Sequence, residues 1–159
     1  MHLLEWQVLL GLQAFQVAFL LLHDWVPVPP LNDVVAQRKT DSLSKRLIVT
    51  LGSALPFAVL LWATYGFMQH GREPGRLLVW LWIGYGILFL GELNAWWIPY
   101  VVRPDLERSA RYADLFGKTH GFLPARNGIR PNTLHVLLHS TTLLTLAVLG
   151  GVTAQLWLR

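Results

Sequence analysis

Apolar positions in this chain gather into four long runs, Leu3–Leu22, Leu47–Met68, Leu77–Ile98 and Leu134–Leu158. None alternates like a half-buried strand, and none confines its apolar residues to one stripe as a soluble surface helix does. At 1.5 Å rise per residue, about twenty residues cross the ~30 Å hydrocarbon core of a bilayer. The pattern therefore predicts an all-α, single-domain protein. Its four transmembrane helices, over 3–23, 46–68, 77–98 and 133–158, would form an antiparallel bundle. Two long loops, 24–46 and 99–131, then share one side of the membrane. In the first, Pro27, Pro29 and Pro30 predict a stiff, extended exit. In the second, residues 104–116 read PDLERSARYADLF. Pro104 suits a first helical position, Asp105 and Glu107 the first turn, and Gly117 the stop. Leu106, Ala110, Ala113 and Phe116 share a face, so a short interfacial helix is expected there. Pro131, Asn132 and Thr133 then start the fourth span, with Asn132 or Thr133 available as a cap.

Composition agrees: 53% of the 159 residues are hydrophobic and 14% charged, against roughly 25% charged in soluble domains. The first run follows MHLLEW, without Lys or Arg, and lacks a small-residue cleavage site, so it is expected to be retained. With no cysteine, the chain has no disulfide, thiolate metal site or thiol redox chemistry. The net charge of +4 sets topology, because no basic stripe with interleaved aromatics points to nucleic acid. The two long loops hold ten basic residues: Arg38, Lys39, Lys45, Arg46, Arg103, Arg108, Arg111, Lys118, Arg126 and Arg130. The opposite side has three, Arg72, Arg76 and Arg159. Basic loops stay cytoplasmic. The expectation is a multi-pass protein of the bacterial inner membrane, both termini outside. Trp25, Trp96 and Trp97 mark the inner boundary, and Trp6, Trp80, Trp82 and Trp157 the outer one.

Polar residues within the spans locate candidate chemistry. Gln13, Gln16 and His23 line one seam of span one, and Thr50 and Ser53 lie near the inner end of span two, before Pro56. Tyr85, Glu92 and Trp96 share a face of span three; His135, His139 and Thr142 share one of span four. Glu92 lies roughly 7–8 Å, and His139 about 10 Å, inside the inner boundary at helical rise. His23 and Asp24 mark that boundary, whereas the outer half offers nothing comparable. A charge at the depth of Glu92 costs about 2.5–3.5 kcal/mol, so it needs a partner or a proton, and His135 and His139 are the expected partners.

Four roles fit this polar layer. Glu92, His135 and His139 could act as acid and base on a small polar, anionic or lipid-like ligand. The pocket would include His23, Asp24, Trp96, His120 and Asn132, with Arg103, Arg126 and Arg130 at its rim. Alternatively, the same residues only lock helices together in an accessory subunit. A metal could sit on His135, His139 and Glu92, although Val136 removes the glutamate of an HExxH protease. Haem could sit between His23 and His135 or His139. Gly84, Gly91 and Ala95 give span three a small-residue face suited to close packing, including homo-oligomers.

HDWVPVPPLNDV, ELNAWWIPY and FGKTHGFLPARNGIRPNTLHVLLH resemble a pattern in small uncharacterised bacterial integral membrane proteins of four spans. The resemblance implies that these inner-side segments belong together, and it implies no activity. Sterol-isomerase-like four-span proteins offer only a fold-level analogy, since one intramembrane acid is present here.

Overall fold

The computed structural model describes residues 3–70 and 74–157. Arg72, Leu158 and Arg159 fall outside the described residues. Six α-helices follow one another: α1 (Leu3–Leu22), α2 (Val34–Thr40), α3 (Leu43–His70), α4 (Pro74–Glu92), α5 (Leu106–Phe116) and α6 (Thr133–Trp157). A π-helical extension, Leu93–Val102, prolongs α4. No strand occurs among the described residues beyond an isolated bridge between Arg126 and Ile129. Four helices are long and apolar enough to cross a membrane: Leu4–Leu22, Leu43–His70, Pro74–Val102 and Thr133–Trp157.

The four long helices close a ring of contacts. Helix α1 packs on α3 and α6, and α4 packs on the same two. Their outward faces carry exposed apolar side chains, among them Ile48, Leu55, Trp62, Ile87 and Leu90. The interior packs apolar residues such as Leu9, Leu81 and Leu149 and also buries Gln13, Gln16, Thr64, Thr142 and Thr145. Apolar outward faces with polar groups inside suit helices that associate in lipid, where interhelical hydrogen bonds and packing replace the hydrophobic effect. Gln16 is the hub of the middle level. Its Nε2 donates to Thr145 Oγ1 at 3.2 Å, and its Oε1 accepts from the Tyr85 hydroxyl at 2.8 Å. At the opposite end of the long helices, Gln155 Nε2 donates to Glu5 Oε1 at 2.8 Å, and Trp82 Nε1 to Thr153 Oγ1 at 3.0 Å.

Helix boundaries depart from the apolar runs where polar residues extend a helix. Helix α3 starts at Leu43 because Ser42 Oγ accepts from the Lys45 amide at 3.3 Å, leaving Lys45 and Arg46 in its first turn. Helix α2 lies within the expected loop, and its signal was Asp33, whose Oδ1 accepts from the Ala36 amide at 2.9 Å. Span three does not stop at Ile98 but continues through Pro99 to Val102. Pro99 has no N–H to offer, so the Asn94 carbonyl loses its donor in the π register. Arg108 supplies one, its Nη1 donating to Asn94 O at 2.6 Å and also to Ala95 O at 2.9 Å. The Tyr112 hydroxyl adds a bond to Ala95 O at 3.0 Å. Repair of the proline's gap thus fastens α5 onto the end of α4.

Helix α5 is capped by Asp105, whose Oδ1 accepts from the Arg108 amide at 2.9 Å; Pro104 precedes the cap rather than opening the helix. Leu106, Ala110 and Ala113 are exposed, while Tyr112, Leu115 and Phe116 turn toward the protein. Beyond α5, Asn127 and Gly128 carry positive φ in a tight turn closed by Arg126 and Ile129 amide–carbonyl bonds of 2.9 and 3.0 Å. The loop docks on the first one through the His120 amide and the Pro30 carbonyl, 2.7 Å apart.

Candidate functional site

These loops and the ends of the long helices enclose a cavity of about 630 Å³, within the roughly 300–1,000 Å³ range of ligand sites. Six expected residues line it: His23, Asp24, Glu92, Trp96, His135 and His139. Arg103, His120, Arg126, Arg130 and Asn132 do not. Arg126 is held in the Asn127–Gly128 turn, Arg130 Nη2 donates to Thr119 O at 2.9 Å, and His120 pairs with Thr133 at 2.7 Å. Arg103 is exposed at the end of the π-helix. Asn132 is a positioning residue instead. The cavity takes its guanidiniums from Arg46 and Arg111, joined by Gln37, Asp41 and Tyr112. One signal for Arg46 was legible, because Arg46, Thr50 and Ser53 fall at i, i+4 and i+7 on one face of α3.

Helix start and histidine chemistry are coupled at α6. The Asn132 Oδ1 caps the helix by accepting from the His135 amide at 3.0 Å, which fixes the orientation of the Asn132 side chain. The same oxygen meets His135 Nδ1, which must therefore be the protonated nitrogen. The neutral ring is left with an acceptor at Nε2. One turn on, His139 Nδ1 accepts from the Trp97 indole N–H at 3.1 Å. Indole is a donor only, so neutral His139 carries its proton on Nε2. Two imidazoles of opposite tautomer thus line one cavity, one offering a lone pair and the other an N–H. Trp96, 5% exposed, holds the first ring in place at 4.1 Å between centroids and stacks on Tyr112 at 4.2 Å.

Glu92 does not pair with either histidine. Its Oε1 accepts from the Thr142 hydroxyl at 2.7 Å, while Oε2 is buried without a partner. The expected three-ligand metal site is therefore not assembled, and among the described residues no group of three His, Asp or Glu is placed to hold a metal ion. Use of His139 Nε2 as a ligand would also require moving a proton to Nδ1, against the Trp97 N–H. Haem fits no better at His23, whose Nδ1 faces the Phe19 carbonyl at 3.1 Å and Nε2 the Asp24 carboxylate at 3.2 Å. Neither nitrogen is free for iron.

Ion pairs line one side of the cavity. Asp41, between α2 and α3, takes Arg111 in two bonds of 3.3 and 2.7 Å and Lys45 at 2.7 Å. Burial pushes the Asp41 carboxyl up, but hydrogen bonds and charge from Arg111 and Lys45 outweigh it and hold the group below its ordinary value of 3.8. A depressed native pKa stabilises the fold above the unfolded value and loses that contribution as pH falls through the native value. The melting-temperature gap between wild type and Asp41→Asn is therefore expected to stay constant from about pH 8 to 5 and to shrink below about pH 4. A gap that closes already between those neutral values would show that Asp41 is not clamped.

Among the described residues, fold and cavity together show an all-helical chain with four helices long and apolar enough to cross a membrane and a cavity at one end of them. Comparison with known family models, curated proteins and solved structures finds no match to this chain.

Proposed function

We propose that this is a multi-pass protein of the bacterial inner membrane whose four long helices form an antiparallel bundle. Both termini lie outside and the two long loops in the cytoplasm, in keeping with the ten-to-three distribution of basic residues. Opposed contacts support the helix directions: Glu5 meets Gln155 near one end of α1, and His23 meets His135 near the other. Helix α5 lies on the inner membrane surface, its exposed Leu106–Ala110–Ala113 edge toward lipid. The cavity, at the inner-leaflet level, binds a small polar, anionic or lipid-like ligand.

One observation carries the binding role. Gln37 Oε1, Arg46 Nε and Glu92 Oε2 are buried without a hydrogen-bond partner among the described residues, and all three residues line the same cavity. Between the helices Gln16, Tyr85 and Thr145 satisfy one another, while the Gln13 amide, away from the cavity, is open as well; what sets Gln37, Arg46 and Glu92 apart is that they share one space. Groups left open around a shared space await a ligand or water. The His135 acceptor, the His139 donor and the Glu92 carboxylate also equip the site for proton transfer. Solvent extraction of the purified protein followed by mass spectrometry tests this reading. A polar or amphiphilic molecule stoichiometric with the chain is expected. An empty wild-type cavity whose polar variants all melt at lower temperature would instead support an accessory subunit with helix locks.

A further inference from the structure

The cavity has one incomplete wall. At mid-height α3 and α4 are closely packed: Phe57 meets Tyr85 edge-on at 6.1 Å, and a Cβ on Gly84 would lie 2.7 Å from Leu60 Cδ2. Toward the cavity the two helices leave space between them. Gly52 and Gly91 both line it, both are exposed, and a Cβ added at either meets nothing within 4 Å. Val49 and Ile87 flank this gap, 48% and 65% exposed on the apolar outer surface. Pro56 has no N–H for the Gly52 carbonyl beside the gap.

Behind the apolar lip lies Arg46, only 8% exposed. Its Nη2 donates to the Asp24 carbonyl at 2.7 Å and its guanidinium lies 4.2 Å above the Trp25 ring. Among the described residues no carboxylate lies within ion-pair distance of it, and its Nε–H is buried and unpartnered. Arg111 differs, being committed to Asp41. A buried guanidinium without a counter-anion is costly, and a phosphate matches its donor geometry. Gln37 Oε1 and Glu92 Oε2 call for donors instead. A soluble anion answers Arg46 but not the apolar lip, and a hydrocarbon does the reverse.

We infer that the ligand is a glycerophospholipid drawn sideways from the inner leaflet between α3 and α4, its phosphate on Arg46 and its head-group hydroxyl or ammonium on Gln37 and Glu92. This rests on the reading of the cavity as a binding site. The acyl chains remain in the gap and the surrounding bilayer.

Native mass spectrometry of the full-length protein in detergent, with added phosphatidylglycerol, phosphatidylethanolamine or glycerol 3-phosphate, tests it. One phospholipid adduct per chain is expected on wild type, with either head group. The adduct should fall at least tenfold in Gly52→Phe and Gly91→Phe, whose new side chains fill the gap, and in Arg46→Gln, while Arg46→Lys retains part of it. Should Arg46→Gln fail to fold, the glycine variants decide the matter, because a Cβ at either position meets nothing within 4 Å. Equal lipid retention by wild type and the glycine variants would overturn the inference, marking the lipid as non-specific. Binding of glycerol 3-phosphate without a lipid adduct would overturn it and leave the cavity's binding role standing. Binding of neither, with an empty purified protein, would remove both.

Discussion

Glu92→Gln is expected to leave thermal stability within about 1 kcal/mol of wild type while emptying the cavity. Glutamine keeps an oxygen for the Thr142 hydroxyl, the one protein bond that Glu92 makes. Interhelical hydrogen bonds in membranes average about 0.6 kcal/mol, so little stability depends on it. The ligand loses more, because Glu92 Oε2 has no protein partner and is free to accept from a bound molecule. A hydrogen bond to a charged group contributes about 1.5–3 kcal/mol, which corresponds to roughly 10- to 150-fold in affinity. A helix-locking role predicts the opposite pair of results, a lower melting temperature and unchanged ligand content.

Gln16→Leu is expected to act on stability alone, and strongly. Gln16 joins α1 to α6 through Thr145 and to α4 through Tyr85, at a level with no access to the cavity residues. Leucine removes both bonds and leaves the buried Tyr85 hydroxyl only the Gln13 amide beside it. Two lost interhelical bonds and a poorly served hydroxyl together cost about 2–4 kcal/mol. Adding Tyr85→Phe removes that hydroxyl, so the double variant should be more stable than Gln16→Leu by about 1 kcal/mol. Equilibrium unfolding in mixed micelles measures each corner of this cycle. A double variant that is less stable than the single one would show that Gln13 takes over as the partner of Tyr85.

Spans were legible because lipid selects a property of the whole segment, and twenty apolar residues report it without knowledge of any partner. The polar level was legible for a related reason, since residues such as Glu92, His135 and His139 are costly in lipid and stand out against leucine. What Glu92 would bond was not. A histidine pair matched the chemistry, but Thr142, one turn from His139, lies opposite the carboxylate, and helix rotation is set by packing rather than by composition. Which basic residues line the cavity was not legible for a similar reason. Arg103, Arg126 and Arg130 are close in sequence to the spans, yet the Asn127–Gly128 turn folds that segment onto Tyr100 through bonds of 3.0 and 3.2 Å. Arg111 reaches the cavity instead because Pro99 left a carbonyl that Arg108 satisfies, and this docks the next turn of α5 against Asp41. The histidine tautomers were beyond the sequence too, since each is fixed by a neighbour, Asn132 or Trp97, whose side-chain direction only the folded chain defines.

The binding role of the cavity is most directly tested by the ratio of bound small molecule to protein chain in purified wild type, compared with an Arg46→Gln/Glu92→Gln double variant from the same membranes. A folded wild type carrying a stoichiometric ligand, and a folded double variant that has lost at least nine-tenths of it, is the predicted result. Equal ligand content in the two, or none in either, would contradict it.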